Sequence, residues 1–117
     1  MAKPEHEFFE ATSVPWTPCA NDATHVLKER VLAADAHAGV ATRILRFEPG
    51  TDTTPNGVQV HDFWEEVYIL DGAFHDTTLD ETFVAGQYAC RPPGMKHGPW
   101  ISKDGCTTFE VRYYSSK

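Results

Sequence analysis

Gly86-Gln87-Tyr88-Ala89-Cys90-Arg91-Pro92-Pro93-Gly94-Met95-Lys96-His97 is the stretch whose reading decides the fold of this chain. A short run with strand character, 87–91, stands between two turn signals, Ala85-Gly86 and Pro92-Pro93-Gly94. Glycine supplies backbone angles that other residues avoid, and proline lacks the N–H that a central ladder needs, so both ends read as turns. Runs bounded in this way recur outward on both sides, at 25–33, 40–48, 57–61, 66–70, 73–77, 81–84 and 107–114. Glu48-Pro49-Gly50, Asp71-Gly72 and Asp104-Gly105 separate them. Short strands at this spacing predict an all-β barrel or sandwich of antiparallel strands. A helix competes only over residues 21–32.

With 117 residues, 41% apolar and 23% charged, the chain is long enough to bury one core and has the composition of an ordinary globular domain. It contains no internal repeat, which sets solenoids and propellers aside. Residues 1–22 hold Pro4, Pro15 and Pro18 with Trp16 among them, and read as an irregular N-terminal arm. Residues 23–117 are expected to form the β-barrel domain. The formal charge of −7 argues against nucleic acid as a partner, since phosphate neutralisation needs clustered Lys and Arg. No stretch approaches the roughly 20 apolar residues of a membrane span, and the first ten residues hold no signal-like apolar core. A cytoplasmic protein is therefore expected. Cys19, Cys90 and Cys106 are odd in number and lack CxxC spacing, so three free thiols are expected.

A second stretch, Gln59-Val60-His61-Asp62-Phe63-Trp64-Glu65-Glu66-Val67-Tyr68-Ile69-Leu70-Asp71-Gly72, resembles the first motif of the cupin family. That motif places a His-x-His pair, then a Glu, then a Gly closing a hairpin. The opening stretch, Gly86 to His97, resembles the second cupin motif and lacks only its trailing Asn, where Ile101 stands. The finer texture, with Arg91-Pro92-Pro93-Gly94 and Gly105-Cys106, is similar to the ChrR-like cupins, named after the cupin half of an anti-sigma factor. It is similar also to small cupin dioxygenases that cleave diketones. The resemblance spans residues 40–114 and implies a small single-domain antiparallel β-barrel, or jelly roll. It also implies one divalent metal ion held by Gln59, His61, Glu65 and His97.

Physical reasoning supports that set. Residues two apart on a strand point to one face, so Gln59 and His61 both look into the presumed barrel. Glu65 returns beside them after a turn at Phe63 and Trp64, and His97 closes the set from a neighbouring strand. Two imidazoles, a carboxylate and an amide oxygen suit Fe(II), Zn(II), Mn(II) or Ni(II) rather than thiolate-seeking metals. The chain departs from the family at Gln59, which replaces the first His of the pair. An amide oxygen is a weak neutral ligand, so Gln59 either coordinates, holds a bound water or hydrogen-bonds from outside the ligand set. Without it, His61, Glu65 and His97 still form the two-His, one-carboxylate arrangement of non-haem iron chemistry.

Glu66 lies next to Glu65, but strand alternation sends the two to opposite faces, and the spacing to Gly72 favours Glu65 as the ligand. His6, His25, His37 and His75 lack motif spacing and read as structural or surface residues. Tyr68 and Tyr88 matter chemically only if a hydroxyl faces the metal, and Arg46 or Arg91 suits an anionic substrate. No general base is identifiable, with Glu66 a candidate only if its strand is bulged.

The expected function is a metal-dependent enzyme, a non-haem dioxygenase with Fe(II) acting on a small diketone- or enol-like molecule. A Zn- or Mn-dependent lyase or isomerase would need only Lewis-acid polarisation of a carbonyl. The alternative is a non-catalytic, metal-bearing binding or sensor module, which the likeness to an anti-sigma cupin implies. The family resemblance further implies a homodimer.

Overall fold

The computed structural model describes residues 2–114. Its strands are β1 Thr17–Pro18, β2 Lys28–Asp35, β3 Val40–Phe47, β4 Thr51–Asp52, β5 Gln59–Val60, β6 Trp64–Asp76, β7 Glu81–Val84, β8 Tyr88–Arg91, β9 Lys96–His97, β10 Trp100–Ser102 and β11 Cys106–Tyr113. Every pairing is antiparallel. The expected all-β architecture is what the chain adopts, as curled sheets wrapped around one core. Residues 21–32 form no helix; they enter β2 through turns in which Asn21 and His25 take positive φ. No helix among the described residues is long and apolar enough to cross a membrane.

One sheet runs β1-β2-β3-β11-β6, with β8 also on β6; the second is built on the far half of β6 with β7 and β10, and β4 pairs β10. A two-stranded ladder, β5 with β9, closes one end. Thus β6 belongs to both larger sheets. Glu65, Val67 and Ile69 point inward along its first half, and Phe74 and Asp76 along its second, so the inward parity changes from odd to even. The cause is a bulge: the register against β11 skips a residue between Thr107 and Thr108. A one-residue slip moves every later side chain to the other face.

Residues 66–70 and 73–77 were expected as two strands joined by an Asp71-Gly72 turn, and the structure makes them one. Gly72 is not a hairpin residue. It takes a φ of 79°, and a Cβ there would lie 2.1 Å from the Gly105 carbonyl oxygen. Glycine is required because two backbones touch.

The core sits between the sheets: Leu45, Phe47, Ile69, Phe74 and Cys106 are buried, with Leu27, Phe83 and Trp100 packed against them. Phe47 meets Phe74 edge-on at 5.2 Å, and Phe74 stacks on Trp100 at 5.7 Å. Trp100 in turn lies 5.5 Å from the ring of His97. The aromatic core is therefore the floor on which the candidate site rests.

Candidate metal centre

Three elements bring the predicted residues together. His61 lies in the loop between β5 and β6, Glu65 on the first inward position of β6, and His97 on β9. One ligand atom from each lies within 4.8 Å of the others. Two ligands on opposite sides of one ion, with bonds of about 2.1 Å, span about 4.2 Å, so a small side-chain rotation brings the three onto one ion. His97 Nε2 and Glu65 Oε1 are already 4.0 Å apart. Gln59 lines the same cavity, of about 310 Å³. Its Nε2 donates to the Asn56 carbonyl at 2.9 Å, which leaves the Oε1 lone pairs for another partner.

The ring orientations suit coordination. His97 Nδ1 is 3.2 Å from the Met95 carbonyl oxygen, so the proton belongs on Nδ1 and the Nε2 lone pair faces Glu65. The His61 ring is stacked on Phe63 at 4.4 Å and lies 5.0 Å from the His97 ring. Burial lowers the proton affinity of both imidazoles. His97 is held at about 4, by burial first and then by the charges of Arg91 and His61. His61 is lowered by burial and then by Arg112 and Arg91. Both are therefore neutral at pH 7, the form that binds metal.

Glu65 has the opposite tendency: burial and the nearby Glu110 raise its pKa, while Arg91, with Nη1 3.1 Å from Oε1, opposes the rise. A buried carboxylate with this bias is a group that a cation stabilises. The donor set thus fits a divalent ion of the nitrogen- and oxygen-seeking kind.

A family model for the ChrR Cupin-like domain matches residues 4–114. The chain belongs to the ChrR cupin-like family. Solved structures of the same fold include an RmlC-like cupin from Shewanella frigidimarina, 18% identical with a TM-score of 0.72, covering 100% of this chain and 97% of that one. An acetylacetone dioxygenase from Acinetobacter johnsonii is 13% identical, with a TM-score of 0.70 and coverage of 92% and 74%. A chain of the Rhodobacter sphaeroides complex of SigE with the anti-sigma ChrR is 19% identical, with a TM-score of 0.64. That match covers 86% of this cupin and 50% of the other chain. No curated protein matches the sequence.

Other residues singled out in the sequence lie elsewhere in the cupin. Glu66 is on the outer face, where it accepts hydrogen bonds from the Tyr88 and Tyr113 hydroxyls, and so it is not a base for this cavity. Tyr68 and Tyr88 are exposed. Arg46 bonds Thr107 Oγ1 at 3.0 Å and is absent from the cavity wall, whereas Arg91 is part of it. His75 bonds Thr82 and Asp80 near the surface, and Cys90 is exposed.

The sequence reading missed Arg43, Glu110 and Arg112, all on the cavity wall. Arg43 binds Glu110 through Nε and Nη2, at 3.0 and 2.8 Å, and Glu29 through Nη1 at 2.8 Å. Burial would raise the pKa of Glu110, but Arg43 and the Thr108 hydroxyl outweigh it and the net direction is down. The available signal was period two: Arg43 is in phase with inward Leu45 and Phe47, and Glu110 and Arg112 with inward Cys106 and Thr108.

Proposed function

We propose that this cupin is a metal-dependent enzyme, a non-haem dioxygenase that acts on a small diketone- or enol-like molecule. The observation that carries the reading is the convergence of His61, Glu65 and His97 on one point of a cavity wall, from three separate elements. In this reading they hold one divalent ion, Fe(II), with Gln59 Oε1 as the fourth group. The ion would supply Lewis-acid polarisation of substrate oxygens and a redox centre for dioxygen.

The protein's own residues prepare that site. Arg91 holds Glu65 in place through a buried ion pair, with the two side chains 11% and 5% exposed. The Met95 carbonyl fixes the His97 ring. Phe63, Val67, Phe74 and Trp100 supply apolar wall that limits water around bound substrate. Glu110 is committed to Arg43, so it acts as structural charge and not as a proton acceptor.

The neutral Gln59 in place of a histidine favours a second reading, a metal-bearing binding or sensor module, in keeping with the likeness to ChrR. With Zn(II) or Mn(II) the same cavity would support lyase or isomerase chemistry. Elemental mass spectrometry on untagged protein, with His61→Ala, His97→Ala and Gln59→Ala alongside, separates these. Stoichiometric iron lost in both His variants, with oxygen consumed on acetylacetone or a related dione, is the expected result. Metal without turnover on a substrate panel, with a protein captured in pull-down, would favour the sensor. No metal in the wild type after reconstitution would sink the enzyme reading. The same purification tests the homodimer by light scattering.

A further inference from the structure

Three arginines line the cavity, and two of them are committed. Arg43 is shared between Glu29 and Glu110, and Arg91 is bound to Glu65. Arg112 forms no ion pair and no side-chain hydrogen bond among the described residues; its guanidinium lies over the ring of Phe63, with Cζ 5.0 Å from the centroid.

This is not a surface arginine drawn in by accident. Its position on β11 continues the inward series Cys106, Thr108 and Glu110, so alternation aims it at the cavity. In the β6–β11 register Arg112 is the direct partner of Glu65. Directly opposed residues have Cβ atoms about 5 Å apart, well within reach of a guanidinium. Yet Glu65 bonds Arg91 instead, and Arg112 extends over Phe63. Asp62, next to Phe63 in the chain, accepts a hydrogen bond from Tyr114 Oη at 3.1 Å. Two ring contacts, His61 on Phe63 at 4.4 Å and Phe63 under Arg112 at 5.0 Å, connect the candidate metal centre to this guanidinium.

We propose that Arg112 is the docking group for a carboxylate on the substrate, so that the cavity prefers an oxo-acid to the corresponding neutral dione. Resting on the reading of the cavity as a metal-dependent substrate site, this narrows the substrate class. A guanidinium offers a planar fork of donors that matches a carboxylate with two parallel hydrogen bonds. A guanidinium can rest on an aromatic ring and still donate through its N–H groups, so the contact with Phe63 and docking are compatible. Phe63 touches both the His61 ring and the Arg112 guanidinium, which favours a carboxylate set off by a short spacer from the oxygens that would meet the metal. The class is a dioxo-carboxylate with a spacer, not a 2-oxo acid chelating through its own carboxylate.

The probe pair is 4,6-dioxoheptanoate and its methyl ester, which share the dione and differ in the charge. Both are titrated calorimetrically into Zn(II)-loaded and metal-free wild type, Arg112→Met and Arg112→Lys, with circular dichroism checking the fold. The wild type should bind the acid at least about tenfold tighter than the ester, the scale of a charged hydrogen-bonded pair. Arg112→Met should reduce that preference to less than about twofold by weakening the acid alone, and Arg112→Lys should restore part of it. A preference that survives in Arg112→Met, or a wild type that binds both probes equally or neither, overturns the proposal. Failure of the metal reading shows separately, as absence of Zn(II) binding in wild type, and the acid-to-ester ratio in metal-free protein then decides the role of Arg112.

Discussion

Gln59 and His97 are direct partners across the β5–β9 ladder, so a single pair of two-residue strands joins the two halves of the candidate metal centre. The backbone of that ladder sets their spacing. The Gln59 side chain is tied at its nitrogen to Asn56, which presets the direction of its oxygen.

Removing that amide should therefore weaken metal binding without abolishing it. Gln59→Ala is expected to lose about 10–100-fold in Zn(II) affinity, the range for a group that supports a site whose principal ligands remain. His97→Ala should lose stoichiometric binding altogether. Competition against a chromophoric chelator measures both. An unchanged affinity in Gln59→Ala would restrict Gln59 to holding its loop.

Arg91→Met should expose the dependence of Glu65 on a positive partner. Breaking a buried ion pair on one side leaves an uncompensated charge and costs about 3 kcal/mol or more. In metal-free protein the urea midpoint should fall accordingly. Added Zn(II) should stabilise Arg91→Met by more than it stabilises wild type, because the ion takes over the charge that Arg91 supplied. Equal gains in the two proteins would mean that Glu65 does not meet the ion.

The sequence made the strand-rich body legible because period two and the Gly and Pro punctuation are local signals, and because His61, Glu65 and His97 sit in motif spacing. What it hid was non-local. Asp71-Gly72 looks like a hairpin, and only the Gly105 backbone packed against it shows why a glycine stands inside a continuous strand. The short strands β1, β4, β9 and β10 went unseen, since two or three residues carry no periodicity. Arg43 and Glu110 were legible as inward positions, but a buried charge reads as an error in the pattern until its partner on the neighbouring strand is known.

Gly72→Ala tests the crossing of β6 between sheets. The new methyl group would meet the Gly105 carbonyl at 2.1 Å, at a φ that alanine adopts with strain. The expected loss is about 2 kcal/mol or more, read from urea unfolding. Gly86→Ala is the control: its φ is 92°, but nothing lies within 4 Å of the added carbon, so it should cost only the backbone strain. If both variants lose the same amount, the close approach at Gly105 contributes nothing.

Asp22 gives the fold a defined acid limb. Its carboxylate accepts from the backbone N–H groups of Thr24, Val26 and Leu27, from the Thr24 hydroxyl and from Asn56 Nδ2, joining the entry to β2 with the loop that holds Gln59. Burial alone would raise its pKa, but these donors outweigh it and bring it from 3.8 down to about 2. A carboxyl whose pKa is lower in the folded state binds fewer protons there than in the unfolded chain. Its stabilisation is therefore present above the unfolded value and lost as the pH falls through the folded one. Allowing for solvent near the group, the amount is about 1 kcal/mol. Asp22→Asn should be less stable than wild type at pH 6, and the gap should narrow by about that amount between pH 5 and pH 2. Urea midpoints of the two proteins across that range check it, and a gap independent of pH would mean that the donors hold the protonated carboxyl of Asp22 as well as its carboxylate.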